Sequence, residues 1–192
     1  MKHARNLLAI VAATMLATSA MAMTSAEHSA AKDRISADYK VNKAKCDALK
    51  DNAKDICMKE AKGAENVAKA ELEAQYKPSD KNTYKVAEAR ADADYAVAKE
   101  KCDDQTGDAK KICEKDAKAA HVTAKENAKV ARAQAKPSDN AAKKDANVAE
   151  VKKEATEEKR EAQYKAAKER CDTMSGDVKD KCVADAKRMY GQ

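Results

Sequence analysis

Six cysteines fall into three pairs with one shared interval, ten residues between partners: Cys46 and Cys57, Cys102 and Cys113, Cys171 and Cys182. Their surroundings repeat as well. The segments YKVNKAKCDALKDNAKDICMKEAK from Tyr39, YAVAKEKCDDQTGDAKKICEKDAK from Tyr95 and YKAAKERCDTMSGDVKDKCVADAK from Tyr164 align without a gap. They share the frame Y-x6-C-D-x6-K-x2-C-x2-[DE]-A-K, so the chain is built from three copies of one unit. Two folds of such a unit compete. On one continuous helix, two cysteines eleven residues apart would lie roughly 16 Å from each other, whereas a disulfide needs Cα atoms about 4.4–6.8 Å apart, so the bridges would have to join different molecules. A helical hairpin closes each bridge within its own unit. The loop residues favour it: Thr106-Gly107-Asp108 and Ser175-Gly176-Asp177 place a glycine where a helix can end in the left-handed conformation, with an Asp ready to cap the next helix. In the first copy Asp51-Asn52 takes that place, a pair that tolerates the conformation less well than glycine.

Between the copies stand Lys77-Pro78-Ser79-Asp80 and Lys136-Pro137-Ser138-Asp139. Proline stops a helix, Ser79 and Ser138 can cap the following one, and the Asp complements its positive end. The organisation expected is a leader over 1–22, hairpin one over 23–77, hairpin two over 78–136 and hairpin three over 137–192, an all-α, extended rather than globular body. On the helix before each first cysteine a 4-3-4-3 stripe runs through Ile35, Tyr39, Asn42, Cys46 and Leu49, and through Ala91, Tyr95, Ala98, Cys102 and Gln105. It is the narrow face of a coiled-coil pair. If the two arms pair level from the disulfide, the frame tyrosines Tyr39, Tyr95 and Tyr164 should meet Ala64, Ala120 and Met189. The third copy has ten extra residues between Pro137 and its first cysteine, and Lys152–Glu161 shows no evident apolar stripe. The helix near 142–161 is therefore expected to stand in solvent or to lie against copy two.

Such a chain has little else to fold with. Beyond residue 22 there are ten Val, three Ile, two Leu and no Phe or Trp. Ala, Lys and Glu, strong helix formers, fill the rest. Each bridge closes a loop of about 12 residues, worth roughly 3 kcal/mol in the chain-entropy model. Ion pairs at i,i+4 spacing, such as Asp55 with Lys59, Glu73 with Lys77, Glu114 with Lys118 and Glu161 with Lys165, add only about 0.2–0.5 kcal/mol each.

Residues 1–22 read as an export signal: basic Lys2, His3 and Arg5, an apolar run from Leu7 to Leu16, and small residues closing on Ala20-Met21-Ala22. Cleavage is expected after Ala22, and no later run is long enough for a bilayer crossing. A periplasmic or secreted location fits the even cysteine count. Without Lys2 and Arg5, 37 basic residues face 33 acidic ones, a net charge of +4, with the signs interleaved. No block of like charge offers a track for nucleic acid. The expected partner is an unknown envelope protein or the cell-wall surface. Catalytic equipment is sparse: His28 and His121 stand far apart and are expected at the solvated surface. No C-x-x-C signals zinc or thiol exchange, and the four glycines form no phosphate cradle. Neither an enzyme nor a cofactor or metal site is expected.

The Y-x6-C-D…K-x2-C-x2-[DE]-A-K unit and the terminal Tyr190-Gly191 resemble a group of small exported Gram-negative proteins rich in Ala and Lys, some of which carry the label of the cell-envelope protein TolA. The resemblance implies a place in the cell envelope, and the long, charged helix faces lead to the expectation of a non-catalytic helical spacer or interaction module. The rival expectation is a hydrophilic stress protectant that becomes helical on drying.

Peptide mapping of the oxidised protein should recover Cys46 linked to Cys57, Cys102 to Cys113 and Cys171 to Cys182. Bridges between molecules, or free thiols in most of them, would return the continuous-helix alternative.

Overall fold

The structure, a computed structural model, describes residues 23–192; the leader over 1–22 and the expected cleavage after Ala22 lie outside the described residues. Six helices follow one another: α1 (Ser25–Cys46), α2 (Asp51–Tyr76), α3 (Asp80–Lys101), α4 (Gly107–Ala135), α5 (Ala141–Cys171) and α6 (Gly176–Tyr190), with one 3-10 turn at Cys102–Asp104. The described residues contain no strand, and the fold is all-α. Disulfides join Cys46 to Cys57, Cys102 to Cys113 and Cys171 to Cys182, each with Cα atoms 5.5 Å apart. They pin α1 to α2, α3 to α4 and α5 to α6, so the pairs close within their own units.

Helix starts follow from local chemistry. Thr24 and Glu27 form a reciprocal capping box on α1, and the Ser79 hydroxyl accepts from the Asn82 backbone N–H at the start of α3, as its place after Pro78 predicts. At the next break the expected cap is displaced by two residues. Asn140 caps α5 by accepting from the Lys143 N–H, while Ser138 is spent on a local turn with the Asn140 backbone. Asn is at least as good a cap as Ser, and Ser138 reaches only its near neighbour.

The turns inside the hairpins also differ in detail from expectation. The glycine does not terminate the first arm; that arm ends at or just past the cysteine, and Gly107 and Gly176 open the second arm with φ of 59° and 56°. Asp51 holds the same frame position with φ 50°. Asp108 therefore lies inside the first turn, where it pairs with Lys111 at 2.9 Å, and caps nothing.

Every helix packs on its neighbours in chain order, α1 on α2 through to α5 on α6, and the contacts between hairpins, α2 with α3 and α4 with α5, are broader than those within them. The result is one layer of antiparallel helices with no central core. Its buried side chains are small: Ala61, Ala91, Ala117, Ala155, Ala166 and Ala186 among them, with Leu72 the one large aliphatic. The most completely buried side chains of any size are Cys46, Cys102 and Cys171. At the α2–α3 joint the backbones come so close that a Cβ placed on Gly63 would stand 2.8 Å from the Cβ of Ala93.

The long approach to copy three lies along α4. Lys159 donates to the Asn127 side chain at 2.8 Å, and Ala155 is only 1 % exposed. Within 152–161 Ala155 alone is buried, and the joint is sealed on either side of that charged run by Val148, Val151, Ala162 and Ala166, none of them exposed. Alanine is easily missed in such a pattern because it seals a joint by its smallness and adds little hydrophobicity.

A non-glycine residue in the left-handed region costs about 1–2 kcal/mol. Asp51→Gly should therefore stabilise the oxidised protein, and Gly107→Ala and Gly176→Ala should destabilise it, each by roughly 1 kcal/mol, read as a rise or fall in the urea midpoint.

Candidate functional site

The repeated frame is the natural place to seek a site, and in the first two copies each of its residues has an internal partner. The Asp after the first cysteine pairs with the frame Lys across the turn in all three hairpins: Asp47 with Lys54 at 2.9 Å, Asp103 with Lys110 at 2.7 Å, Asp172 with Lys179 at 2.9 Å. The lysines hold these carboxyls below the usual Asp range; at Asp172 the nearer influence is Lys168, with Lys179 second. The frame Ala is buried each time, as Ala61, Ala117 and Ala186. The closing Lys lies over the opening Tyr, Lys62 over Tyr39 at 5.1 Å and Lys118 over Tyr95 at 5.5 Å from the ring centre.

The frame acid reaches outward. Glu60 pairs with Lys101 at 3.9 Å, and Asp116 pairs with Arg170. Lys101 and Arg170 both immediately precede the first cysteine of the next hairpin, so one frame position staples each unit to its successor. Of the four i,i+4 pairs expected from the sequence, Glu161–Lys165 forms. Lys59, Glu73 and Lys118 turn instead to groups on neighbouring helices: Lys59 to Glu100, Glu73 to His28 and Lys32, Lys118 to the Tyr95 ring. A long side chain at a helix joint has such partners in reach as well as those on its own helix.

The two histidines are packed inside hairpins, contrary to the surface role expected of them. His28 is 9 % exposed, stacks on Tyr76 with centroids 4.0 Å apart, and its Nε2 lies 2.9 Å from Glu73. His121 stacks on Tyr95 at 4.5 Å, and its Nε2 lies 2.6 Å from Asp92. Glu73 is held below the usual carboxylate range by Lys32 first, with His28 adding to it. One register explains both stacks. His28 is 46 − 28 = 18 residues before its cysteine and Tyr76 is 76 − 57 = 19 after; Tyr95 is 102 − 95 = 7 before and His121 is 121 − 113 = 8 after. The arms are thus offset by one from the level pairing, and Ala64, Ala120 and Met189 are exposed. Helical side chains lean toward their own N-terminus, so a ring on the first arm leans away from the turn and meets a residue farther out. Counting in the sequence could have found both pairs had that lean been included.

From His121 the polar contacts run on through the α3–α4 joint. Lys125 lies 3.7 Å from Asp92 and 3.6 Å from Glu88, and Glu88 accepts from the Tyr84 hydroxyl at 2.8 Å. Arg132 sits over the Tyr84 ring at 5.0 Å. The Tyr84 phenol is pushed up to about 12, by burial first and then by its bond to Glu88. Two glutamates are buried as well. Glu65 is bonded by Lys62 at 2.7 Å and Lys69 at 2.6 Å, which hold it below its ordinary range, and Glu126 is bonded by Lys129 at 2.6 Å.

A histidine bonded to a carboxylate is half of a general-base arrangement. Among the described residues, no hydroxyl or thiol hydrogen-bonds to either ring, all cysteines are bridged, and no three His, Cys, Asp or Glu side chains converge as a metal site. Among the described residues, no buried side-chain polar atom lacks a partner. What the geometry does is tie helices together. On one face, shallow apolar grooves run along the joints, past Ala64, Val67 and Val97 between α2 and α3, and past Met174, Val178 and Met189 on hairpin three. No described helix is long and apolar enough to cross a membrane.

Comparison with protein-family models, curated proteins and solved structures finds no match to this chain.

The raised Tyr84 value means that folding favours the neutral phenol. Its contribution to stability is whole below the ordinary phenol value near pH ~10 and is lost as pH rises toward 12. Ultraviolet titration should show a late tyrosine component, and Tyr84→Phe should remove it together with part of the alkaline loss of stability.

Proposed function

We propose that this protein is a non-catalytic helical spacer or interaction module of the bacterial cell envelope, held in the periplasm or secreted after loss of its leader. One observation carries the reading: the residues that repeat are spent on the protein's own turns, bridges and joints, so what was copied three times is a way of building a stiff helical layer. A repeated binding site would instead leave its recurring residues free. The outward faces carry interleaved Lys and acid, suited to contact with charged envelope surfaces or proteins at modest affinity. At 1.5 Å per residue, α5 with its 31 residues is about 46 Å long, a useful reach for a strut. The resemblance of the frame to exported Ala/Lys-rich envelope proteins, some labelled TolA, points to the same compartment and role. The location in the envelope rests on the leader and on the three disulfides, which suit an oxidising compartment.

Far-UV circular dichroism of the oxidised protein in dilute buffer tests the reading against the protectant alternative. A spacer should be strongly helical, melt cooperatively and lose thermal stability on reduction. A largely disordered spectrum that turns helical only on drying would replace the spacer with the protectant.

A further inference from the structure

The described exposed large hydrophobic side chains are confined to the two end hairpins: Val41 and Leu49 on hairpin one, Met174, Val178 and Met189 on hairpin three. The middle hairpin, covered on both sides, has none. The outer face of α1 also duplicates a face that is covered elsewhere. Counting back from the first cysteine, α3 meets α2 with Lys101, Val97, Asp94, Ala93 and Arg90. The same positions on α1 are Lys45, Val41, Asp38, Ala37 and Arg34. Val97 is half-buried at the α2–α3 joint, whereas its counterpart Val41 is 55 % exposed, and no described element covers it.

The molecule itself shows what kind of helix such a face accepts. Both internal joints seat it on the second arm of the preceding hairpin, stapled by the frame acid: Glu60 to Lys101, Asp116 to Arg170. Among the described second arms, α6 alone has no described hairpin seated on it. Its frame acid, Asp185, finds only Lys181 and Arg188 of its own helix, just as Lys45 finds only Asn42 of its own.

We infer that the α6 face of one molecule docks on the α1 face of a second copy, continuing the helical layer head to tail. Placed in the register of the internal joints, Asp185 meets Lys45 of the second copy. Met189, which stands where Ala64 lines the α2–α3 groove, meets Val41. The position of Gly63 and Ala119 is Arg188, too large for their close approach; its guanidinium lies along the surface beside Asp38, the counterpart of Asp94. The two ion pairs thus flank one apolar contact. The α6 arm is short, 15 residues against 26 and 29 for α2 and α4, so the joint is smaller than the internal ones and reversible. Being heterologous, it leaves a free face at each end and builds open chains. It stands apart from the spacer role, because it concerns how the molecule meets its own copy.

Sedimentation velocity of the oxidised protein tests it. The weight-average sedimentation coefficient should climb steadily with concentration, with no plateau at a dimer. Val41→Lys and Met189→Lys change exposed side chains, leave the circular dichroism unaltered, and should each hold the protein monomeric. Mixed in equal amounts, the two variants should form a dimer that grows no further, since one intact joint remains. Lys45→Glu should lose association, and adding Asp185→Lys in the same chain should recover it. Wild-type protein that stays monomeric at every concentration, a mixture that stays monomeric, or Met189→Lys protein that assembles like the wild type overturns the inference. The last result would mean that α1 pairs with itself.

Discussion

The cystine bridge is the constraint on which the rest of the structure depends. A chain with 15 large aliphatic residues beyond residue 22 cannot collapse around a central core, and its described residues form none. It replaces that core with three sulfur bridges, each with its first cysteine buried, closing a turn and setting two helices side by side. Once the turn is fixed, a helix need bury only a strip of alanines against its neighbour. The backbone entropy that a hydrophobic core would have to overcome is reduced in the unfolded chain instead.

Small contact residues have a second consequence, because helices that meet through Gly63, Ala93, Ala117, Ala155 and Ala166 approach closely. Their long Lys, Arg, Glu and Asp side chains then reach across the joints. That is why Glu60 and Asp116 bind forward to Lys101 and Arg170, and why Glu73 serves His28 and Lys32 on another helix. The layer is held by many weak, partly solvated ties in addition to its bridges, so no single ion pair governs its stability. Rigidity of this kind suits a protein whose work is to hold a distance or present a face.

The architecture was largely legible in the chain. Cysteine interval, proline breaks and glycine turns each state a local rule, and those rules place the breaks and turns, though the cap of α5 and the role of the turn glycines differ in detail. Ser79 caps α3 and the cysteines pair within units as those rules require. Legibility failed where a residue's fate depends on what lies across a joint. The isolated histidines had no neighbours in sequence and were placed at the surface, yet Tyr76 and Tyr95 stack on them. The tyrosine register missed by one because side-chain lean belongs to the geometry of paired helices. The run Lys152–Glu161 carries no mark of the α4–α5 joint, because Ala155, its one buried residue, declares a buried face only when another backbone lies close to it.

Propensity, capping, proline and covalent bridging act over a few residues or a single short loop, so helicity and the place of each hairpin turn can be read along the chain. Packing across the joints sets how the hairpins meet, more broadly between units than within them, with the frame acid as the staple. That choice rests on shape and charge meeting across separate helices, Gly63 against Ala93 and Asp116 against Arg170, and residues so far apart along a chain carry no mark of their meeting until the backbone has brought them together.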